Sequence, residues 1–172
     1  MKSSKEYLFV DGYNIINNWS NLRKLSKESL ETARNELIDI LAEYQSFTGI
    51  KVILVFDAHL VKGSMEKNES IKGIHIVYTK EKETADHYIE RTLDLIGRTK
   101  KVRVATSDWI EQQVVMGRGG TRISARELKL EVDYYKEIIR KKNERINEIN
   151  DILMGRLDKK TIEMLEKLRK NK

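Results

Sequence analysis

Short apolar segments alternate with longer helical patterns along this chain, and this alternation constrains its fold more than any other feature. Four segments rich in β-branched and aromatic residues predict strands: residues 6–10, 51–56, 74–78 and 101–105. Apolar residues at helical spacing predict helices: residues 29–46, 84–97 and 109–116. Strands that alternate with helices predict an α/β domain with a largely parallel sheet.

The segments between these elements predict two loops and one more strand. Residues 17–21 are polar and predict a loop. Residues 58–73 are rich in glycine, serine and asparagine and predict a second, longer loop. A short strand is expected at residues 121–123, after a glycine-rich turn.

The C-terminal part of the sequence predicts a long helix. Ser124 and Glu127 have the spacing of a capping box, and highly charged helical sequence continues well beyond them. Asp158 is placed to cap a final helix. We therefore expect a domain at residues 1–125 and a basic helical extension at residues 126–172, either packed on that domain or projecting from it.

Aspartates follow three of the predicted strands. Asp11 ends the first, Asp57 ends the second, and Asp108 follows the fourth by three residues. Because the carboxyl ends of parallel strands meet at one edge of a sheet, these carboxylates are expected to lie together. Asp86 lies near the start of the helix that begins at the same edge. The sequence therefore predicts four acidic side chains at one rim.

Carboxylates packed this closely repel one another unless cations neutralise them. Mg²⁺ and Mn²⁺ prefer oxygen ligands, and a metal held at such a rim can activate water and a phosphodiester. A single aspartate after a strand is more often a turn former, and Asp86 and Asp108 also suit a helix start. The convergence of four acids favours the metal site, but spacing alone leaves both interpretations open.

Three polar residues near these aspartates are candidates for substrate contact: Asn14, Ser107 and His59. The amide of Asn14 can contact a metal-bound water or a phosphate, although such amides more often bond the local backbone. The hydroxyl of Ser107 has helix capping as its alternative role. His59 is placed to contact a phosphate, and the three histidines of the chain show no metal-ligand spacing.

The composition and the missing motifs exclude several classes of protein. The chain has no cysteine, which excludes disulfides, thiolate zinc sites and a cysteine nucleophile. The Walker A, HExxH, serine-hydrolase and GxGxxG signatures are absent. The apolar run at residues 7–10 is too short for a signal peptide, and no stretch is long enough to span a membrane. We expect a soluble, cytoplasmic protein.

Five segments carry a specific resemblance: VDGYNII (10–16), VFDAHLVKG (55–63), ETADHYIE (83–90), ATSDWIEQ (105–112) and SARELKLEV (124–132). Together they resemble the NYN-domain nucleases of the PIN-like superfamily, and more narrowly its YacP-like branch. The resemblance implies a PIN-like three-layer α/β/α fold whose acidic residues bind Mg²⁺ or Mn²⁺ at the carboxyl edge of the sheet.

The resemblance also assigns roles by position in the motifs. The acidic residues of the family fall on Asp11, Asp57, Asp86 and Asp108, and its asparagine falls on Asn14. These five residues are the predicted catalytic set, and the four aspartates are the predicted metal ligands. No expected acid is missing, which argues against an inactive copy.

The resemblance further implies a function in RNA cleavage. The YacP-like branch includes a bacterial ribosome-associated endonuclease that cleaves messenger RNA, so RNA and the ribosome are the expected partners. The chain is basic, with a net charge of +6, and residues 126–172 carry 14 Lys and Arg against 10 Asp and Glu. Basic residues expected to contact RNA phosphates are Arg118, Arg122, Arg140, Lys141 and Lys142.

Two other functions stay open on the sequence. A non-catalytic module that binds RNA or the ribosome would keep the basic residues and lack turnover. A small-molecule phosphatase of similar α/β form would use the same rim on mononucleotides. The C-terminal helix also has a plain structural alternative, which is to pack on its own domain.

Overall fold

The computed structural model describes residues 5–156 and 159–171 and contains one six-stranded sheet. The strands are β1 (Glu6–Asp11), β2 (Lys51–Phe56), β3 (Lys67–Ile71), β4 (Ile74–Tyr78), β5 (Lys101–Ala105) and β6 (Thr121–Ile123). Their order is β3-β4-β2-β1-β5-β6, and every neighbouring pair is parallel except β3 with β4. The predicted α/β class with a largely parallel sheet is confirmed.

Seven helices and one short 3₁₀ turn (Gly97–Thr99) accompany the sheet within the described ranges. The helices are α1 (Gly12–Asn18), α2 (Ser20–Glu28), α3 (Leu30–Thr48), α4 (Ala85–Ile96), α5 (Trp109–Gly117), α6 (Ala125–Arg156) and α7 (Lys159–Lys170). Alternate strand residues point to opposite faces of a sheet. Val102 and Val104 share a buried core with α4 residues, whereas Arg103 between them contacts Tyr44 of α3. Helices therefore cover both faces, as the three-layer prediction requires.

The prediction of a loop at residues 17–21 is wrong, because the chain is helical there apart from Trp19. Asp11 caps α1 by accepting a hydrogen bond from the backbone N–H of Asn14. Trp19 has an extended backbone that separates α1 from α2, and its side chain is buried. The polar side chains that suggested a loop lie on the exposed side of these two helices.

The predicted loop at residues 58–73 is wrong in part, since residues 67–71 form β3. This strand pairs antiparallel with β4 at the edge of the sheet, and four of its five residues are exposed. It therefore lacks the apolar alternation by which strands are recognised. Lys72 and Gly73 join β3 to β4 with positive φ angles of 51° and 83°, as a type I′ hairpin turn requires.

The predicted helix caps are largely confirmed. Thr84 Oγ1 accepts a hydrogen bond from the N–H of His87 and opens α4. Ser124 and Glu127 form the expected capping box, in which each side chain accepts a hydrogen bond from the other's backbone N–H. Asp158 lies outside the described residues, so its capping role stays a prediction.

A partly buried ion cluster joins the sheet to the start of α6. Arg103 of β5 donates hydrogen bonds to both carboxylate oxygens of Glu131 at 3.0 and 3.1 Å and to Tyr44 Oη at 3.0 Å. It also pairs with Glu6 of β1 at 3.1 Å. Bidentate arginine–carboxylate pairs fix geometry as well as charge, so this cluster sets the position of the first part of α6 on the sheet.

The chain divides into two compact units, Met1–Asp133 and Tyr134–Lys172, with the division inside α6. The first unit contains the sheet and the beginning of α6, where Leu128 and Val132 are buried. The second consists of helical chain with no buried residue among those described. The division predicted at residue 125 stays a prediction. No helix in the described ranges is both long and apolar enough to cross a membrane.

Gly12 follows Asp11 directly and packs against Phe56. A Cβ at this position would lie 2.4 Å from Phe56 Cε1, and Phe56 is fully buried. We expect Gly12→Ala to destabilise the protein by about 1–3 kcal/mol through overpacking, measured by urea unfolding. Gly117→Ala is the matched control, because a Cβ there meets nothing within 4 Å. Equal stability of the two variants would contradict the packing described here.

Candidate active site

The four predicted aspartates lie together at the carboxyl edge of the sheet. Asp11, Asp57, Asp86 and Asp108 all line one cleft of about 490 Å³. β1 and β2 deliver the first two directly, α4 delivers Asp86 in its first turn, and the segment after β5 delivers Asp108. The parallel register of β1 with both β2 and β5 is what brings these distant stretches of chain to one rim.

The tightest acidic cluster contains a residue that the sequence did not single out. Carboxylate oxygens of Asp11, Asp86 and Glu111 lie within 4.8 Å of one another. Glu111 is in the first turn of α5, three residues after Asp108. Its signal in the sequence is only this spacing, which places it on the helix face next to Asp108. Charged residues at such positions are common on exposed helix faces, so the spacing alone is weak.

Glu111 is buried, which is unusual for a glutamate without a cationic partner. The residue is only 2% exposed, and neither carboxylate oxygen has a hydrogen-bond partner within the described part of the protein. Burial raises the pKa of Glu111 to about 9, with further contributions from the nearby charges of Asp86 and Asp11. In the absence of a cation, burial and the neighbouring carboxylates therefore favour the protonated form of this carboxyl group.

Asp11 is the second perturbed acid of the cluster. Its pKa is raised to about 7, chiefly by burial and further by the charges of Asp86, Asp57 and Asp108, against a lowering by the N–H of Asn14. Both the burial and the like charges favour the neutral form. A bound cation would reverse this balance and favour the carboxylate.

Asp11 and Asp108 each have two functions in the fold. Asp108 Oδ1 accepts hydrogen bonds from the N–H groups of Ile110 and Glu111 at 2.9 and 3.1 Å and caps α5. Asp11 Oδ1 caps α1 through the N–H of Asn14. The capping interpretation of these aspartates is thus correct, and it coexists with their place in the cleft because each cap uses one oxygen, Oδ1.

Asn14 connects two parts of the rim. Its Oδ1 accepts a hydrogen bond from the backbone N–H of Ser107 at 2.9 Å, and its side chain lines the cleft. This bond holds α1 against the segment between β5 and α5, and so fixes Asp11 relative to Asp108. Contact of Asn14 or Ser107 with substrate stays a prediction.

His59 lies in the cleft beside Asp57. Asp57 Oδ1 accepts a hydrogen bond from the backbone N–H of His59 at 2.9 Å and is also in close contact with His59 Nδ1. The imidazole is therefore oriented by the carboxylate, and Nε2 is the ring nitrogen that remains for another partner.

The predicted basic contacts lie outside the lining of the cleft. Arg118 pairs with Asp94 and, at 3.7 Å, with Glu90 of α4. Arg122 donates a hydrogen bond to Gln112 Oε1 at 3.1 Å. The other three, Arg140, Lys141 and Lys142, are exposed residues of the second unit, where Arg140 pairs with Glu137 and Glu144. Their contact with RNA stays a prediction.

The residues of the cluster fit a hard divalent cation. All the donors in it are carboxylate oxygens, which Mg²⁺ and Mn²⁺ prefer. The buried Glu111 oxygens have no partner within the described protein, and no lysine or arginine lines the cleft to balance the acids. Carboxylates this close together stay ionised only when a positive charge lies near them. A bound metal ion can provide that charge where no basic side chain does.

Comparison with known proteins shows the family of the chain. Residues 8–170 match the family described as the YacP-like NYN domain. The chain belongs to this family. It is 41% identical over 166 residues to "Uncharacterized protein YacP" of Bacillus subtilis (strain 168), and the match covers 96% of this chain and 97% of that protein.

Solved structures of the family have the same fold. A crystal structure of Rae1 (YacP) from Bacillus subtilis is 41% identical, covers 95% of this chain and 94% of its own, and superposes with a TM-score of 0.71. A crystal structure of a tryptophan-to-leucine mutant of that protein is 40% identical, covers 83% and 84%, and has a TM-score of 0.73. Membership of the YacP-like NYN family implies a nuclease-type function related to RNA.

The raised pKa values predict an unusual pH dependence of stability. The folded protein retains protons on Asp11 and Glu111 that the unfolded chain releases above about pH 4. In EDTA, stability should therefore fall as the pH rises from 5.5 to 8. Glu111→Gln should flatten this fall in Tm, and Mn²⁺ should raise Tm more at pH 8 than at pH 5.5, because it competes with protons.

The matched control is Glu127→Gln. Hydrogen bonds from Ser124 lower the pKa of Glu127, so it is ionised in both the folded and the unfolded states throughout this pH range. The control should lose stability uniformly and keep the wild-type slope. Parallel Tm profiles for wild type and Glu111→Gln would contradict the protonation described for Glu111.

Proposed function

We propose that this member of the YacP-like NYN family is a divalent-metal-dependent endoribonuclease that hydrolyses RNA phosphodiester bonds. The observation that carries the proposal is the convergence of Asp11, Asp86 and Glu111 within 4.8 Å, with Asp57 and Asp108 in the same cleft. The proposed cofactor is Mg²⁺ or Mn²⁺. Family membership supports RNA as the substrate class.

The ribosome is the proposed place of action and messenger RNA the proposed substrate, in the cytoplasm. The sequence motifs shared with the ribosome-associated branch support this choice. The basic character of residues 126–172 supports it as well, because phosphate contacts give affinity that tolerates many sequences.

The chemistry assigned to each group follows from its position. Asp11, Asp86 and Glu111 would hold the metal, with Asp108 and Asp57 in the same cleft beside them. The bound ion supplies Lewis-acid polarisation of the phosphodiester and activation of the attacking water. The protein contributes the orientation of the scissile phosphate, and it needs no nucleophilic side chain.

Asn14 and His59 organise the rim around these acids. Asn14 maintains the spacing of Asp11 and Asp108 through its hydrogen bond to the N–H of Ser107. His59, oriented through Nδ1 by Asp57, presents Nε2, which donates a hydrogen bond to a phosphate oxygen when the ring carries a proton on both nitrogens. Neither interaction depends on which of the two metals is bound.

The acidic variants test the assigned site. We expect Asp11→Asn and Asp86→Asn each to reduce RNA cleavage by roughly 100-fold or more, because each removes a metal ligand. Cleavage is measured by end-mapping of messenger RNA on translating ribosomes, with Mg²⁺ or Mn²⁺ and then with EDTA. Circular dichroism and thermal melting confirm that the variants are folded.

Asp39→Asn is the matched control, since Asp39 is exposed and pairs with Lys72 away from the cleft. It should cleave as the wild type does. Retained activity in both Asp11→Asn and Asp86→Asn would reject the site. Metal-independent binding without any cut ends would favour a binding module, and release of inorganic phosphate from mononucleotides would favour a phosphatase.

The second unit is expected to recruit the enzyme to ribosomes. Deleting residues 140–172 should abolish co-sedimentation with ribosomes, because it removes most of the basic extension. The unit up to Asp133 should remain folded, as judged by its melting curve, because its buried residues are all retained. A triple change of Arg140, Lys141 and Lys142 to Glu should weaken co-sedimentation without shortening the chain. Undiminished co-sedimentation of the deleted protein would reject this role.

A further inference from the structure

A second pocket, of about 350 Å³, adjoins the acidic cleft and has the opposite charge. Seven residues line it: Asn18, Trp19, Ser20, Ser107, Arg126, Lys129 and Leu130. The linings of the two cavities are neighbours at the end of α1 and at the segment after β5. Asn17 lines the cleft and Asn18 the pocket, and Ser107 of the pocket directly precedes Asp108 of the cleft. The pocket therefore lies close to this side of the cleft.

Hydrogen bonds hold the pocket in shape. Trp19 Nε1 donates to the carbonyl oxygen of Ala125 at 2.8 Å in the interior. The backbone N–H of Ala125 donates to Ser107 Oγ at 3.1 Å, and the N–H of Ser107 donates to Asn14 Oδ1. The start of α6, the end of α1 and the rim of the cleft are thereby connected, so the pocket is formed before any ligand arrives.

Two cationic side chains lie at this pocket, one turn apart on α6. Lys129 Nζ lies 5.7 Å from the centre of the Trp19 ring and pairs with Asp133 at 2.7 Å. Such exposed pairs contribute little and are readily exchanged for another anion. Arg126 is exposed and has no ion pair within the described ranges. The pocket therefore has a guanidinium and an ammonium available to a ligand.

The opposite charges of the two cavities indicate a ligand that carries several phosphates. The acidic cleft attracts a metal but repels the phosphates that flank the scissile one, since like charges this close cost free energy. A substrate with several phosphates needs positive charge immediately beyond the cleft. Arg126 and Lys129 provide it in the pocket whose lining adjoins that of the cleft.

We propose that this pocket binds the ribose–phosphate backbone of single-stranded RNA next to the segment held in the cleft. Arg126 and Lys129 pair with phosphate oxygens, and the side chains of Asn18, Ser20 and Ser107 hydrogen-bond to the backbone. The register of the RNA relative to the cleft rests on the proposed function, whereas binding in the pocket does not. Neither Arg126 nor Lys129 is among the contacts predicted from the sequence.

The test is RNA binding by full-length protein carrying Asp86→Asn, which slows turnover during the measurement. Fluorescence anisotropy with a labelled single-stranded oligoribonucleotide gives Kd at several salt concentrations. Arg126→Ala and Lys129→Ala should each weaken binding roughly tenfold, as expected for one charged hydrogen bond. Each should also reduce the salt dependence by about 0.7 in the slope of log K against log salt.

Lys51→Ala is the matched control, because Lys51 is an exposed lysine at the start of β2, at the opposite edge of the sheet from the cleft. It should bind RNA nearly as well as the parent protein. Oligonucleotides with one uncharged methylphosphonate linkage then locate the contact. A methylphosphonate at the phosphate that Arg126 contacts should weaken RNA binding by the parent protein. The same methylphosphonate should have no further effect on binding by the Arg126→Ala variant.

Losses for Arg126→Ala and Lys129→Ala no larger than that for Lys51→Ala would overturn the proposal. The proposal would also be overturned if the loss of affinity from Arg126→Ala added to the loss from every methylphosphonate position. Arg126 would then contact no specific phosphate. The absence of RNA cleavage by wild-type protein would reject the proposed function instead, and the binding comparison would still decide on the pocket.

Discussion

Mutual repulsion among carboxylates at the carboxyl edge of the sheet is the constraint on which the rest of the structure depends. Parallel pairing of β1 with β2 and β5 forces their terminal acids together, and α4 and α5 add Asp86 and Glu111. Without a cation, the fold tolerates the cluster by keeping protons on its most buried members. The packing of the sheet thus holds together a site whose charges favour separation.

The two interpretations that the sequence left open for its aspartates are compatible. Asp11 and Asp108 each cap a helix through Oδ1 and line the cleft as well. A cap of this kind orients the carboxylate by backbone hydrogen bonds, which are more rigid than bonds to long side chains. The two carboxylates are therefore held in position at the rim by the same hydrogen bonds that cap their helices.

Structural features that depend on where strands occur and end were predictable from the sequence. Features that depend on the burial of individual residues were not. The α/β class and the convergence of Asp11, Asp57 and Asp108 follow from apolar segments that end in acids. The edge strand β3 was missed because its exposed residues carry no apolar pattern. Glu111 was missed because nothing local shows that a glutamate three residues after a cap is buried; only the packing of α5 makes it so.

The partly buried cluster around Arg103 has a consequence for where the first unit ends. Since Glu131 of α6 and Tyr44 of α3 both bond to this guanidinium, the opening turns of α6 belong to the same compact unit as the sheet. A truncation that removes these turns would therefore destabilise the sheet as well as the helix.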